Sequence, residues 1–303
     1  MPVTAKHLSQ LRDQGFTVVP SFLSAAELKA ARKAVARYFP SPEELALQPL
    51  RYRALTESPD FQQIEFPYVD HTLNHIALHP RILSFVEKLL GTEDVMLSRS
   101  ALWAKYAGMG EFDQPMHVDY QGNTLVVPRD DGDYRQVNII LYYSDVDDTL
   151  GPTHVVSQKH TRNDPLWPPF RPRDEYPEIY DLATPIVAKA GSMLIFSMRA
   201  FHRGTSITAD FGARFTQHLV YRSKKHVFQG YQHWPSFGEQ AELQSFIERA
   251  TMKQREALGF PKPGDAYWND ATIAGVATRY PGMDMQPYKA RMAAKKRKKR
   301  KTE

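Results

Sequence analysis

The tetrapeptide Met116-His117-Val118-Asp119 sets an imidazole and a carboxylate two residues apart. On an extended backbone, side chains at i and i+2 leave the same face, so these two groups can share one ion. A third ligand must then come from another part of the chain. His202, in Phe201-His202-Arg203-Gly204-Thr205, follows a short β-prone run and a turn, 85 residues downstream of His117. Two imidazoles and one carboxylate on one side of a metal leave the opposite positions open, which is the arrangement of non-haem Fe(II) oxygenases. Twelve residues beyond His202, Arg214 opens the apolar run containing Phe215, Leu219, Val220 and Tyr221. A guanidinium in a partly buried site is suited to gripping a carboxylate through two parallel hydrogen bonds. Thr216, two residues on, shares that strand face and offers a hydroxyl donor.

Each of these groups also has a plainer reading. A lone His-x-Asp is most often a hydrogen-bonded pair, His202 at a sheet end can be a satisfied core histidine, and Arg214 can pair with the aspartates near Val146. The remaining histidines, among them His71, His75, His79, His154, His160, His218, His226 and His233, read as packing or surface residues. Trp103, Lys105, Tyr120, Asn138 and Tyr142 suit the wall of a small-molecule pocket, and Gln114 and Tyr120 flank the His-x-Asp motif closely. Aromatic residues in strands are, however, more often core than pocket.

Composition narrows the choice of metal chemistry. The chain has 303 residues and no cysteine, which excludes disulfides, a thiolate nucleophile and cysteine-held zinc or iron–sulfur centres. Any metal is held by nitrogen and oxygen. Residues 1–14 lack the apolar run of a signal peptide and no stretch approaches the ~18 apolar residues of a membrane span, so a cytoplasmic protein without a membrane span is expected. The formal net charge of +5 is uneven: residues 289–303 carry nine basic side chains against one acid, Glu303, which leaves −3 for the other 288 residues. A like-charged block of that density is expected to be a disordered tail. It could attract nucleic acid, an anionic membrane face or an import receptor.

The elements that must position the motif are legible from periodicity. Phe16-Thr17-Val18-Val19 is a β-prone run, and Ser24-Ala25-Ala26-Glu27 has the form of a helix capping box. The spacing of Leu28, Ala31 and Val35 predicts a helix there, ended by Pro40 and Pro42. Pro80, the apolar set Ile82, Leu83, Val86, Leu89 and Leu90, and Gly91 as stop predict a second. From 95 to 223 the pattern changes to short strands at 95–100, 137–143, 153–156, 185–188, 193–196 and 214–221. This predicts a mainly β fold with flanking helices, its core a jelly roll, within one domain over 1–288. A helix is expected over 239–258, stopped by Gly259 and Pro261.

Over most of its length the sequence resembles the phytanoyl-CoA dioxygenase-like branch of the Fe(II)/2-oxoglutarate oxygenases. The opening Leu11-Arg12-Asp13-Gln14-Gly15-Phe16-Thr17-Val18-Val19-Pro20-Ser21-Phe22-Leu23-Ser24 is similar to that family's start, and Gly151-Pro152-Thr153-His154-Val155-Val156-Ser157-Gln158-Lys159-His160 to its signature segment. The resemblance implies a double-stranded β-helix (cupin-like) core with N-terminal and C-terminal helices. It implies iron held by His117, Asp119 and His202, and Arg214 on the far carboxylate of 2-oxoglutarate, with dioxygen as the second co-substrate. Two positions depart from the pattern: Ser157-Gln158-Lys159 stands where the family reads Pro-Gly-Ser, and Ser192 where an acid is common. Related halogenases vacate the position of Asp119, so its presence implies hydroxylation. The expected substrate is a small-molecule or lipid-like metabolite. The competing readings are a ligand-binding scaffold without turnover, and an oxygenase of nucleic acid or protein recruited through the tail.

Overall fold

The β-prone runs pair into two antiparallel sheets in this computed structural model, which describes residues 3–57, 63–109, 113–119, 136–225 and 240–299. In chain order, α1 (Ala5–Gln14), β1 (Phe16–Val19), α2 (Ala25–Val35), α3 (Pro42–Leu47), α4 (Arg53–Glu57) and β2 (Gln63–Glu65) lead to α5 (His71–Ala77) and α6 (Pro80–Leu90). The strands β3 (Val95–Tyr106), β4 (Met116–His117), β5 (Gln136–Tyr142) and β6 (Thr153–Val156) follow. Then come α7 (Gln158–Thr161), β7 (Phe170–Arg171), α8 (Pro177–Asp181), β8 (Ala183–Ile186), β9 (Met193–Ser197), β10 (His202–Arg203) and β11 (Ala213–Ser223). The chain closes with α9 (Ala241–Arg249), α10 (Met252–Ala257), α11 (Asp270–Arg279) and α12 (Gln286–Lys299).

Contacts group the chain into two compact units. The first, Met1–Phe66 with His79–Gln232, contains the jelly roll: a six-stranded sheet ordered β1-β9-β5-β11-β3-β2 faces a five-stranded sheet ordered β7-β4-β10-β6-β8. Alternation along the strands fills the space between them. Ile140, Tyr142, Leu194 and Phe196 of the larger sheet pack against Val155 and Ile186 of the smaller, all nearly solvent-free. On β11 the alternation separates two tasks. Arg214 and His218 turn to the inter-sheet cavity, whereas Gln217 points the other way to Ser100 and Tyr143.

The helix signals of the first unit act as anticipated. Ser24 Oγ accepts from Glu27 N at 3.2 Å while the Glu27 carboxylate accepts from Ser24 N at 2.7 Å, so both orphan amides at the start of α2 are satisfied. Pro80 begins α6, and Gly91 at φ 67° closes it in the left-handed conformation. Strand β3 runs six residues past the expected 95–100, because its whole length pairs with β11.

The second unit comprises Pro67–Leu78 and His233–Glu303. Asn74, fully buried, donates to Tyr68 O and accepts from Tyr68 N, and Gln254 Nε2 donates to Leu78 O at 3.3 Å, tying the early segment to α10. The helix expected over 239–258 is two helices; Glu239 lies outside the described residues. Ala250 is extended and Thr251 caps a new helix through Gln254. α12 runs to Lys299, in keeping with the high helix propensity of alanine, methionine, lysine and arginine.

Candidate metal centre

Sheet register brings the two candidate imidazoles together. β10 pairs with β4 so that His202 lies directly opposite His117, and their ring centroids are 4.4 Å apart. Asp119 follows in a turn two residues after His117. Its Oδ1 lies 3.4 Å from His117 Nε2 and its Oδ2 3.3 Å from His202 Nε2. Among the described residues this trio is the one group of histidine, aspartate and glutamate side chains whose ligand atoms all fall within 4.8 Å of one another.

The far side of each ring defines its tautomer. His117 Nδ1 lies 2.9 Å from Pro115 O, and His202 Nδ1 3.1 Å from Ala200 O. A carbonyl only accepts, so both Nδ1 atoms carry protons and both Nε2 atoms turn lone pairs toward the carboxylate. Lone pairs on two nitrogens and two oxygens at this separation repel unless a cation lies between them. A proton can answer part of that demand; a metal ion answers all of it. Burial works to lower the His117 pKa, but the bond to Asp119 and its charge outweigh it and raise it above the ordinary value. For Asp119 burial acts to raise the carboxyl pKa, and the two imidazoles overcome this and hold it well below the usual range.

Asp119 is itself held. Asn138 Nδ2 on β5 donates to Asp119 Oδ2 at 2.9 Å, and Gln136 Nε2 on the same face reaches Asp119 O at 3.4 Å. Asp119 keeps 35 % of its side-chain surface open, which leaves room for further groups beside the carboxylate. Phe170 stacks on His117 and Phe196 packs on His202, shielding the rings from water. An outer partner of this kind typically changes metal affinity by about tenfold or more. Asn138→Ala is therefore expected to weaken Co(II) binding by about tenfold in a spectroscopic titration, with the folded state retained.

The three groups open on a cavity of about 160 Å³. Arg214 lines it, 8 % exposed, with its guanidinium donating to Gly151 O. Among the described residues it pairs with no carboxylate, so the aspartates near Val146 are not its partners. Lys105, opposite Arg214 in the β3–β11 register, donates to Thr205 O at 2.6 Å. Burial, then the neighbouring Arg214 charge, lowers its pKa to about 7. Thr216 shares the Arg214 strand face as expected, but its hydroxyl is engaged by His218 Nε2 at 3.1 Å and does not line the cavity.

Of the pocket residues anticipated, Trp103, Lys105 and Gln114 line the cavity. Tyr142 is fully buried between the sheets, Asn138 acts on Asp119, and Tyr120 lies outside the described residues. His218 was read as packing or surface, yet it lines the cavity and stays neutral, its pKa driven down to about 3 by burial. Arg99, paired with Glu65 at 3.2 Å, is a further lining residue that sequence reading passed over. The signal was present: Arg99, Trp103 and Lys105 share one parity along β3.

Residues 11–215 match the profile of the phytanoyl-CoA dioxygenase (PhyH) family. The chain belongs to that family. Its matched span takes in β1 to β10, the His-x-Asp turn, His202 and Arg214, and it places the chain among the non-haem Fe/2-oxoglutarate-dependent oxygenases. No curated protein matches the chain. Among solved structures, the chain is similar to SnoK, a non-heme alpha ketoglutarate dependent carbocyclase from nogalamycin biosynthesis. The two share 18 % identity over 73 % of this chain and 84 % of that one, with a TM-score of 0.55. It is also similar to HygX from Streptomyces hygroscopicus with iron bound, at 16 % identity over 77 % of this chain and 90 % of that one and a TM-score of 0.55. The epimerase SnoN in complex with Fe3+, alpha ketoglutarate and nogalamycin RO matches at 18 % identity over 72 % and 82 %, with a TM-score of 0.52. At such identities the likeness concerns the fold. No described helix is long and apolar enough to cross a membrane.

Proposed function

We propose that this protein is an iron(II)- and 2-oxoglutarate-dependent dioxygenase that hydroxylates a small-molecule or lipid-like metabolite, with the metal on His117, Asp119 and His202. The observation that carries the reading is the pair of Nε2 lone pairs converging on one carboxylate, each fixed by a carbonyl behind its ring. Such a donor set, two neutral nitrogens and one anionic oxygen on a single side, suits iron(II) with positions left open. A second observation concerns the co-substrate. Arg214 is a buried cation with no carboxylate partner among the described residues, in a cavity beside the trio, and a buried charge without a counter-ion is costly enough that a matching anion is expected. HygX with iron bound and SnoN in complex with Fe3+ and alpha ketoglutarate share the fold, which adds support.

Bound there, iron(II) with 2-oxoglutarate and dioxygen supplies oxidation of a substrate C–H bond coupled to decarboxylation of the keto acid to succinate. The chain's own residues do the rest. Pro115 O and Ala200 O hold the protons on Nδ1, so both Nε2 atoms remain donors of electron pairs. Asn138 keeps Asp119 turned inward, and Phe170, Phe196 and Ile140 wall off water. Arg214, its guanidinium held by Gly151 O, orients the far carboxylate of 2-oxoglutarate. The protein's share of the rate is thus positioning and exclusion of solvent.

Anaerobic addition of Fe(II) and then 2-oxoglutarate is expected to raise a weak visible charge-transfer band, absent with either alone. No band, with the protein folded, would identify a scaffold without turnover. SnoK and SnoN are named for carbocyclisation and epimerisation, so the hydroxylation itself is tested separately: label from 18O2 must appear in the oxidised product as well as in succinate.

A further inference from the structure

The strand that carries His117, β4, is only two residues long and lies between β7 and β10. Backbone pairing over so short a run fixes little, and on each edge of β4 a side chain completes the ladder. The amides of Met116 and Val118 turn toward β7, where Val118 N donates to Pro169 O at 3.1 Å. Alternation along the strand therefore turns the backbone of Pro115 and His117 toward β10. His117 lies opposite His202, and the same register carried outward sets Pro115 against Gly204. Proline has no N–H to donate, and the carbonyl of Pro115 is already engaged by His117 Nδ1 at 2.9 Å. Gln114 supplies both missing partners. Its backbone N donates to Gly204 O at 3.0 Å, and its side-chain Oε1 accepts from Gly204 N at 2.8 Å. The fit is close, because a Cβ at position 204 would come within 2.9 Å of Gln114 Oε1.

On the opposite edge the register sets Met116 against Arg171. The Tyr180 hydroxyl stands between them, accepting from Met116 N at 2.9 Å and donating to Arg171 O at 2.8 Å. It thus spaces β4 from β7 by the width of an oxygen atom. The Tyr180 ring is buried in the apolar cluster of Met116, Val118 and Phe201, which holds the hydroxyl in place.

We propose that Gln114 and Tyr180 are positioning residues: together they set the separation of the His117 and His202 rings, and so the grip of the donor trio on its metal. This rests on the reading of the metal centre given above, but its first test needs no metal. Neither side chain is a ligand; each acts through the backbone of β4. With an apolar side chain at position 114, Gly204 N turns to the Pro115 carbonyl in competition with His117 Nδ1, and the bond that sets the tautomer of that ring weakens. With the Tyr180 hydroxyl gone, Met116 N moves in to bond Arg171 O directly, which draws β4 toward β7 and carries His117 away from His202. Donor sets tolerate little of this, since a misplacement of about 1 Å can cost about a hundredfold in rate.

The test uses Gln114→Leu, Tyr180→Phe and Gly204→Ala in the full-length protein, with Gln114→Glu as the conservative variant that keeps an acceptor for Gly204 N. Tyr180→Phe retains the buried ring, so folding is preserved while the hydroxyl alone is lost. In metal-free protein the nuclear Overhauser effect between the ring protons of His117 and His202, whose centroids are 4.4 Å apart, should weaken or vanish in the first three variants and persist in Gln114→Glu. Co(II) affinity, titrated by visible absorption, should fall by about tenfold or more in the same three. A merely structural role would lower the Tm of the metal-free variants and leave both the ring contact and the Co(II) affinity at parental values; that result overturns the proposal, as does equal loss of the ring contact in Gln114→Glu. Absence of Co(II) binding by the parent would strike the metal centre, whereas the ring contact, read without metal, would still decide the positioning.

Discussion

His202→Ala is expected to cut succinate formation from 2-oxoglutarate by about a thousandfold or more, because removing one of the three proposed ligands would withdraw several kcal/mol of metal binding and each 1.36 kcal/mol is tenfold in rate. The loss has a structural origin beyond the missing nitrogen. His202 is the cross-strand partner of His117 and the neighbour of Asp119 Oδ2, so its removal also leaves Asp119 facing one imidazole only. Metal-free protein should remain folded, since the backbone pairing of β10 with β4 and β6 does not depend on the ring. His160→Ala, an exposed histidine of the signature segment, serves as control and should leave turnover intact. Succinate is followed by proton NMR and Fe(II) binding by titration. Full activity in His202→Ala, or equal loss in the control, would refute the assignment of the ligands.

Arg214→Met should act differently, raising KM for 2-oxoglutarate by about a hundredfold with a smaller effect on kcat, since charge-assisted bonds are worth about 1.5–3 kcal/mol each and bind the co-substrate remote from its reacting end. Stability gives an independent readout. In the apoprotein Arg214 is a buried cation without a carboxylate among the described residues, and replacing such a charge by an apolar side chain of similar volume is often neutral or stabilising. The Tm of metal-free Arg214→Met should therefore equal or exceed that of the parent, while the rise in Tm on adding 2-oxoglutarate with an inert divalent ion should shrink. Arg214→Lys should rescue little, because a point charge lacks the planar fork. A KM unchanged from the parent would remove Arg214 from the co-substrate site. A purely structural role would lower the Tm of the apoprotein, the opposite of the expected sign.

The candidate trio and Arg214 were visible in the chain for a local reason. His-x-Asp spans one pleat, so side-chain direction follows from backbone period alone, and Arg214 and Thr216 share a face by the same rule. The helix boundaries at Ser24 and Gly91 were equally local, being written in caps. The break between α9 and α10 was also written there, in Thr251-Met252-Lys253-Gln254, a capping box inside what read as one amphipathic run.

Residue type and short-range spacing thus determined which groups could bind a metal, the absence of thiolate chemistry, and the parity of each strand. Tertiary structure alone decided that His202 sits opposite His117, that Asn138 rather than a pocket ligand holds Asp119, and that His218 and Arg99 face the cavity. The physical reason is the range of the forces involved. Caps and pleats act over two to four residues, whereas register between strands 85 residues apart is set by which apolar faces can be buried together.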